Sequence, residues 1–347
     1  MKFITSLTFL FSLALFASVY ISPEVFQYAG LLPFLIPLAL ISNFFLFVLL
    51  ALAWRKLALI PLLTLLIGYK FFLITFQFNA RQEDESGLQV LTYNAHLFNY
   101  KGKTSEGFET NVFTWLKEHP AQVKVFQEFY QDQSSASRNA LKILSENGKK
   151  DYFYHVVDGN ERKRSFGMAI FSDYPIVNEG VVFDTRYSNG AIFADILVNK
   201  DTIRIYNVHL QSMAIPAESL DEYEKVKQVY RQTLGKLHRG SLARAQQLDI
   251  LFEHLGESPH RVILMGDLNE IPYSFAYFRL SQKLKNAFEM AGRGFGFTYN
   301  RVLFFLRIDH IFSSPDLKPV YFDTHGEVDY SDHYPVTATF TWEGIEL

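Results

Sequence analysis

The first 79 residues contain only five charged side chains, Lys2, Glu24, Arg55, Lys56 and Lys70. Nothing else in the chain narrows its folding choices so far. A helix on the surface of a soluble domain needs a polar face, and three long stretches here have almost none. Residues 3–21, 31–53 and 57–78 each approach the roughly 20 residues that an α-helix needs to cross a bilayer. Polar breaks separate them, "SPEVFQYAG" after the first and "WRK" after the second. Residues 1–79 are therefore expected to form a membrane domain of three transmembrane helices. The first segment makes a poor signal peptide, because Lys2 is its only base and "FASVYIS" lacks the small-x-small pattern of a cleavage site. Arg55 and Lys56 fill the loop between segments two and three, and Lys2 precedes segment one. The positive-inside rule puts these bases in the cytoplasm and everything after Asn79 outside it, as an integral protein of the plasma or inner membrane. Lys70, inside the third segment, is expected to snorkel outward or to meet a partner between helices.

Residues 80–347 have another character. Four of the 33 bases and one of the 36 acids lie before them, so they carry a net charge of about −6. The basic excess of an electrostatic nucleic-acid binder is missing. The chain has no cysteine, which excludes disulfides and thiolate chemistry. After a charged hinge at 80–87, "RQEDESG", short runs rich in β-branched and aromatic residues read as strands: "LQVLTYNAH", "VKVFQEF", "YFYHVV", "GMAIFSDYPI", "AIFADILVN", "TIRIYNVHL", "RVILMGDLN", "RIDHIFSS", "PVYFD" and "YPVTATF". Helices are expected over 107–118, 132–147, 218–256 with a break at "HRG", and 273–290. About ten strands are too many for one small sheet, so residues 88–347 are expected to form an α/β domain of two packed, mainly antiparallel sheets with helices outside.

Several strands end on polar residues. "GDLN" gives Asp267 and Asn269, which share a face because strand side chains alternate with period two. "YNAH" gives Asn94 and His96, "FQEF" gives Glu128, "YNVHLQS" gives His209, "RIDHIF" gives Asp309, and "YSDHYP" gives Asp332 and His333. One such residue caps a turn. Six strands ending this way point to a site, because ligands gather at strand ends. The set is made of carboxylates, amides and imidazoles, with no G-x-S-x-G elbow. Oxygen donors suit a hard ion such as Mg²⁺ or Mn²⁺. Two histidines also suit Zn²⁺, but no H-E-x-x-H or close histidine pair is present. A metal that neutralises phosphate, with an imidazole and carboxylate to activate water, amounts to metal-dependent phosphoester hydrolysis.

"LTYNAH", "FQE", "NVHLQS", "GDLNEIPYS", "RIDHIFSS" and "SDHYPV", in that order, resemble the exonuclease–endonuclease–phosphatase superfamily of deoxyribonucleases, apurinic endonucleases, neutral sphingomyelinases and inositol polyphosphate phosphatases. The resemblance covers about residues 88–342 and implies a four-layer α/β sandwich. It implies metal ligation by Glu128 and Asn94 with Asp332 nearby, and phosphate contact by His209. It implies that Asp267 and Asn269 position water and phosphate, and that Asp309 orients a catalytic His333. Either His333 or Asp267 is then the base. His310 replaces a common aromatic and is expected to face away from the site, and His96 is expected to cap a loop. The histidine of "NVHLQS" resembles the deoxyribonuclease, sphingomyelinase and phosphatase branches more than the apurinic endonucleases. A domain tethered outside the cytoplasm reaches lipid headgroups, small phosphoesters or external nucleic acid. A nuclease remains the alternative, with "NERKRSFG" as a basic loop, and a non-catalytic binding module is the third reading.

Overall fold

The computed structural model describes residues 1–80, 86–99, 108–185, 189–212, 223–301 and 305–344, with side chains from 112 and 235 onward in the helices that begin at 108 and 223. It divides into two compact units. The first holds Met1–Gln77, Met213–Gln246 and Ile271–Gln282, and the second holds Phe78–Ser212, Gln247–Glu270 and Lys283–Leu347.

In the first unit the apolar segments form helices α1 (Lys2–Ser18), α2 (Ile36–Leu52), α3 (Leu59–Ile67) and α4 (Tyr69–Thr75). Among the described residues only one helix, Leu32–Leu52 with its leading 3-10 turn, is long and apolar enough to cross a membrane, not the expected three. Helix α1 stops at 17 residues. The third segment is broken, since α3 and α4 meet at a 50° bend and count at most as one bent span. Gly68 marks the bend. A Cβ there would stand 2.7 Å from the Phe16 ring and 2.9 Å from Leu40, so the missing side chain lets those two pack close.

These helices bury Leu15, Phe16, Ile36, Leu50, Phe71 and Ile74, yet they also bury polar side chains and leave much apolar surface exposed. Thr5, Ser12, Ser18, Asn43 and Thr64 are buried, while Phe3, Leu10, Phe45 and Leu52 are exposed, Phe3 at 78% and Leu52 at 76%. Asn43 Nδ2 donates to Ser12 Oγ (2.9 Å) and to Ala39 O (2.8 Å), linking α2 to α1. Helix α8 (Phe275–Leu280) joins this unit, with Phe278 5.6 Å from the Phe71 ring and 5.3 Å from Tyr20. Lys70 finds its partner there, 5.0 Å above the Phe278 ring.

The second unit contains two six-stranded sheets. Its strands are β1 (Leu88–Asn94), β2 (Val123–Asp132), β3 (Asp151–Gly159), β4 (Arg164–Ser172), β5 (Ile176–Asp184), β6 (Gly190–Val198), β7 (Asp201–His209), β8 (Arg261–Asp267), β9 (Lys285–Asn286), β10 (Asp309–Ser313), β11 (Lys318–Thr324) and β12 (Val336–Thr341). One sheet runs β11-β12-β1-β2-β4-β3 and the other β9-β10-β8-β7-β6-β5. Each contains one parallel pairing, β1 with β2 and β7 with β8, and is otherwise antiparallel. Val90, Val125 and Ile170 of one sheet and Ile192, Ile205 and Met265 of the other share one buried cluster, the core between the sheets. On the outer face of the first sheet, α5 (Phe108–Glu118) and α6 (Ala140–Leu144) bury Phe113, Leu116 and Leu141 against Phe126 and Phe129. On the second, the end of α7 (Tyr223–Gly256) sets His254 Nδ1 2.7 Å from the Tyr206 hydroxyl. This is the expected four-layer order.

Strand β5, absent from the expected set, is a largely exposed edge strand whose "IVNEGVVFD" lacks apolar alternation. Helix α7 runs without interruption through "HRG". The expected helix at 132–147 shrinks to α6, because its start belongs to β2, and 273–290 divides into α8 and α9 (Ala287–Ala291) around β9.

Candidate active site

The parallel pairings decide where the polar strand ends meet. In register, His209 of β7 lies beside Asp267 of β8, and Asp267 lies beside Asp309 of β10, so three site residues form a row across one sheet. In the other sheet Asn94 ends β1 beside Gln127 of β2. Asp267 is the centre of the constellation. Its Oδ2 accepts a hydrogen bond from Asn94 Nδ2 (3.0 Å) and stands 3.6 Å from His209 Nε2 and 3.7 Å from His333 Nε2. Its Oδ1 accepts from the backbone N–H of Asn269 (2.8 Å), whose own Nδ2 donates to Leu210 O (3.1 Å). His333 Nδ1 donates to Asp309 Oδ2 at 2.8 Å, which fixes the ring so that Nε2 faces Asp267. The seven residues Asn94, His209, Asp267, Asn269, Asp309, Asp332 and His333 are therefore brought together around one point, with Glu128 Oε1 4.0 Å from His209 Nε2.

Glu128 reaches the site through a backbone irregularity. Phe126 pairs with Ala169 and Phe129 with Gly167, so Gln127 and Glu128 together oppose a single residue, a β-bulge. Glu128 has φ +48°, and Asn269 has φ +50°. At Glu128 the left-handed conformation costs about 1–2 kcal/mol, whereas asparagine tolerates it. A surrounding structure that holds such residues in place is typical of functional sites. The bulge also turns Gln127 inward, where its Nε2 donates to Asn207 Oδ1 (2.7 Å) and Thr92 Oγ1 (3.2 Å). Asn207 Nδ2 in turn donates to Phe126 O (2.8 Å) and Ala169 O (3.0 Å). One buried asparagine of β7 thus ties its sheet to two strands of the other, directly behind the site. The sequence signal for it was its position two residues before His209, on the same strand face.

Asp332, His96 and Ser331 form the rim. His96 Nδ1 lies 3.1 Å from Asp332 Oδ1, and the His96 backbone N–H donates to Asn94 Oδ1 (3.1 Å). The loop cap is thus supplied by Asn94, and the His96 ring pairs with an acid instead of capping. His96, Leu97, Phe98 and Asn99 have φ of +44°, +56°, +49° and +51°, one turn of left-handed helix. Phe98 anchors it in the core, its ring 4.9 Å from Phe113 and 5.4 Å from Phe129. His310 is buried and faces the other way from Asp309, with Nε2 donating to Glu270 O (2.8 Å). Its pKa is pushed down to about 3 by burial, so it is neutral.

Glu128, Asp267, Asp309 and Asp332 bring four carboxylates together, and no lysine or arginine ion-pairs with any of them among the described residues. Burial works against charge on His333, yet Asp309, Asp267 and Asp332 hold its pKa up at about 10. Burial pushes Asp309 up as well. Of this pair the imidazole is assigned the proton, because three carboxylates act on it. Asp332 is only partly buried; burial pushes its pKa up, but the His96 hydrogen bond and the nearby imidazoles bring it down to about 2. Asp267, Asp309 and His333 offer donor atoms within 4.8 Å of one another. The 2.8 Å His333–Asp309 bond uses His333 Nδ1 and Asp309 Oδ2. The acid excess and the oxygen donors of Glu128, Asn94 and Asp332 fit a hard divalent cation in charge and in donor type.

A family model described as Endonuclease/Exonuclease/phosphatase family matches residues 91–333, over two-thirds of the chain. The chain belongs to the endonuclease/exonuclease/phosphatase family. Members of this family are hydrolases of phosphate esters. A second model, a domain of unknown function (DUF8431), matches residues 1–75. No curated protein matches the chain. Among solved structures, the family member from Beutenbergia cavernae DSM 12333 is similar over 74% of this chain and 71% of its own, at 17% identity and TM-score 0.53. That from Leptotrichia buccalis C-1013-b is similar over 74% and 100%, at 19% identity and TM-score 0.51. TDP2 from D. rerio, complexed with a single strand DNA product, is similar over 74% and 99%, at 17% identity and TM-score 0.51. At these identities the likeness concerns the fold.

Proposed function

We propose that this family member is a membrane-anchored, divalent-metal-dependent phosphoesterase that cleaves a phosphodiester or phosphomonoester by attack of water, on a lipid headgroup or small phosphoester. The observation that carries the reaction is the placement of Asp267, whose one oxygen faces Asn94, His209 and His333 at 3.0, 3.6 and 3.7 Å. In this reading Glu128, Asn94 and Asp332 hold Mg²⁺ or Mn²⁺. The ion supplies charge neutralisation at the phosphate when bound. His209 and Asn269 hold phosphate oxygens. The proton released by the attacking water passes to the Asp267 carboxylate, which the charged His333 ring faces, with Asp309 keeping that ring in place.

The anchor rests on the exposed apolar surface of the first unit. A core helix of a soluble protein is mostly buried, whereas only 22% of the apolar window in Leu32–Leu52 is. Aliphatic side chains outside and hydroxyls and an amide inside are what a hydrocarbon solvent selects. With Arg55 and Lys56 on the cytoplasmic side and the bent α3–α4 pair crossing back as one span, the catalytic domain lies outside. A C-terminal alkaline phosphatase fusion should then be active and a fluorescent-protein fusion dark, and the reverse pattern would invert the topology.

A nuclease is the second reading, favoured by the fold shared with a TDP2 that holds a DNA product. The test is a substrate panel on the full chain in detergent with Mg²⁺: sphingomyelin, glycerophospholipids, inositol phosphates, a generic bis-ester, RNA and single-stranded DNA. Turnover of lipid or small esters supports the first reading, turnover of DNA or RNA alone the second. Full activity after EDTA treatment would sink the metal dependence.

A further inference from the structure

We propose that His96 is a positioning residue for the metal: through Asp332 and Asn94 it holds two of the ligand side chains in place. This rests on the metal-dependent reading above.

Three observations on the His96 side of the site carry it. The ring and the backbone of this one residue touch both of these side chains, Nδ1 at 3.1 Å from Asp332 Oδ1 and the N–H at 3.1 Å from Asn94 Oδ1. An ionised carboxylate only accepts, so Nδ1 carries the proton in either charge state of the ring. The other hydroxyl near Asp332 is committed elsewhere. Ser331 Oγ lies 3.3 Å from Asp332 Oδ1 but 2.8 Å from Asn94 O, and it has one proton, which the shorter contact takes. Asp332 Oδ1 thus has the His96 ring as its closest side-chain donor. The second contact fixes Asn94 in the same way: with Oδ1 receiving the His96 N–H, its Nδ2 is turned to Asp267.

The backbone is the third observation. His96 opens a run of four left-handed residues, a conformation that asparagine and glycine tolerate and other residues adopt at a cost. The turn is pinned by the buried Phe98. The His96 side chain is meanwhile 51% exposed, unlike that of His209, at 2%. A ring kept for packing would be buried. A ring kept only for solubility would not be held at 3.1 Å from an acid by a strained turn.

Groups that orient metal ligands change affinity for the ion by 10–100-fold when removed. The variant His96→Gly suits the left-handed backbone, retains the N–H to Asn94 and removes the ring. The measurement is the Mn²⁺ dissociation constant of the full chain in detergent, from free Mn²⁺ counted by electron paramagnetic resonance, together with metal-free Tm. His96→Gly should raise the dissociation constant 10–100-fold while leaving the metal-free Tm in place. In an Asp332→Asn background the same change should add nothing, because the ring acts through that carboxylate. A dissociation constant within twofold of the parent, or an equal loss in the Asp332→Asn background, would overturn the role given to His96. Glu128→Gln separates the two levels. If it abolishes Mn²⁺ binding while His96→Gly is silent, only the role of His96 fails. If it leaves Mn²⁺ binding intact, the metal reading fails and takes this proposal with it.

Discussion

The two units differ in what they leave exposed and which polar side chains they enclose. In the catalytic unit Ile205, Met265 and Phe340 are buried. In the N-terminal unit Thr5, Ser12, Asn43 and Thr64 are buried, and Phe3, Leu10, Phe45 and Leu52 look outward. Buried asparagines make the contrast concrete. Asn207 is enclosed between two sheets and satisfies carbonyls on two strands of the facing sheet. Asn43 links two helices through a single serine. The same residue type locks a water-facing fold together in one place and joins apolar helices in the other.

Four experiments would break or sharpen that contrast. The largest effect belongs to the catalytic unit alone. His333→Ala should lower kcat/KM by roughly 10²–10⁴ while membrane association is unchanged. Asp309→Asn should do much of the same damage, and the double variant little more, since the two act as a unit. Fully multiplicative losses in a double-mutant cycle would separate them.

Ile41→Arg addresses the other unit. Ile41 is exposed near the middle of Leu32–Leu52, so in water the change would be nearly neutral. At the centre of a membrane helix an arginine costs about 2.5–3.5 kcal/mol. The expected outcome is loss of carbonate-resistant membrane association, and a chain that remains fully inserted would argue against a lipid-facing surface.

The asparagines come next. Asn207→Ala strands buried carbonyls, at about 1–3 kcal/mol each, and should lower Tm and the denaturation midpoint clearly. Asn43→Leu should cost about 0.6–2 kcal/mol, the range for polar contacts between membrane helices. Equal losses would erase the distinction between the two interiors.

The smallest effect is acid lability. Burial holds the pKa of His119 down to about 3, as it does that of His310. Both are neutral in the folded chain and charge in the unfolded one. Below the unfolded value near 6.5 the unfolded state binds more protons, so stability falls as pH drops from about 6.5 toward 3. His119→Gln and His310→Gln should each flatten that limb of a Tm-against-pH curve.

Most of the constellation was legible because strands print their geometry on the sequence. Asp267 and Asn269, and Asn94 and His96, stand two apart at apolar strand ends. Glu128 was found as a lone acid, but not the bulge that aims it, because a bulge is a pairing property that one strand cannot reveal. The His96 ring was misjudged for a related reason: its partner Asp332 lies 236 positions later. Hydropathy predicted three spans because it reads composition and not direction, and a glycine that bends α3 into α4 is invisible to it. The continuity of α7 through Gly235 and Gly240 shows the limit of local breakers, each worth only about 1 kcal/mol in a helix.

The chain leaves the catalytic unit after Glu270, three residues past Asp267, and its next stretch, Ile271–Gln282, is counted with the N-terminal helices. Phe278 sits there against Tyr20, Phe71 and Lys70. The N-terminal helices and the catalytic sequence are consequently not interchangeable cassettes. A version made by cutting at residue 80 would bare aromatic faces of Ile271–Gln282 to water and be prone to aggregate. Recombination that joins domains at linkers finds no clean seam in a chain that passes from one unit to the other at residues 77, 212, 246, 270 and 282.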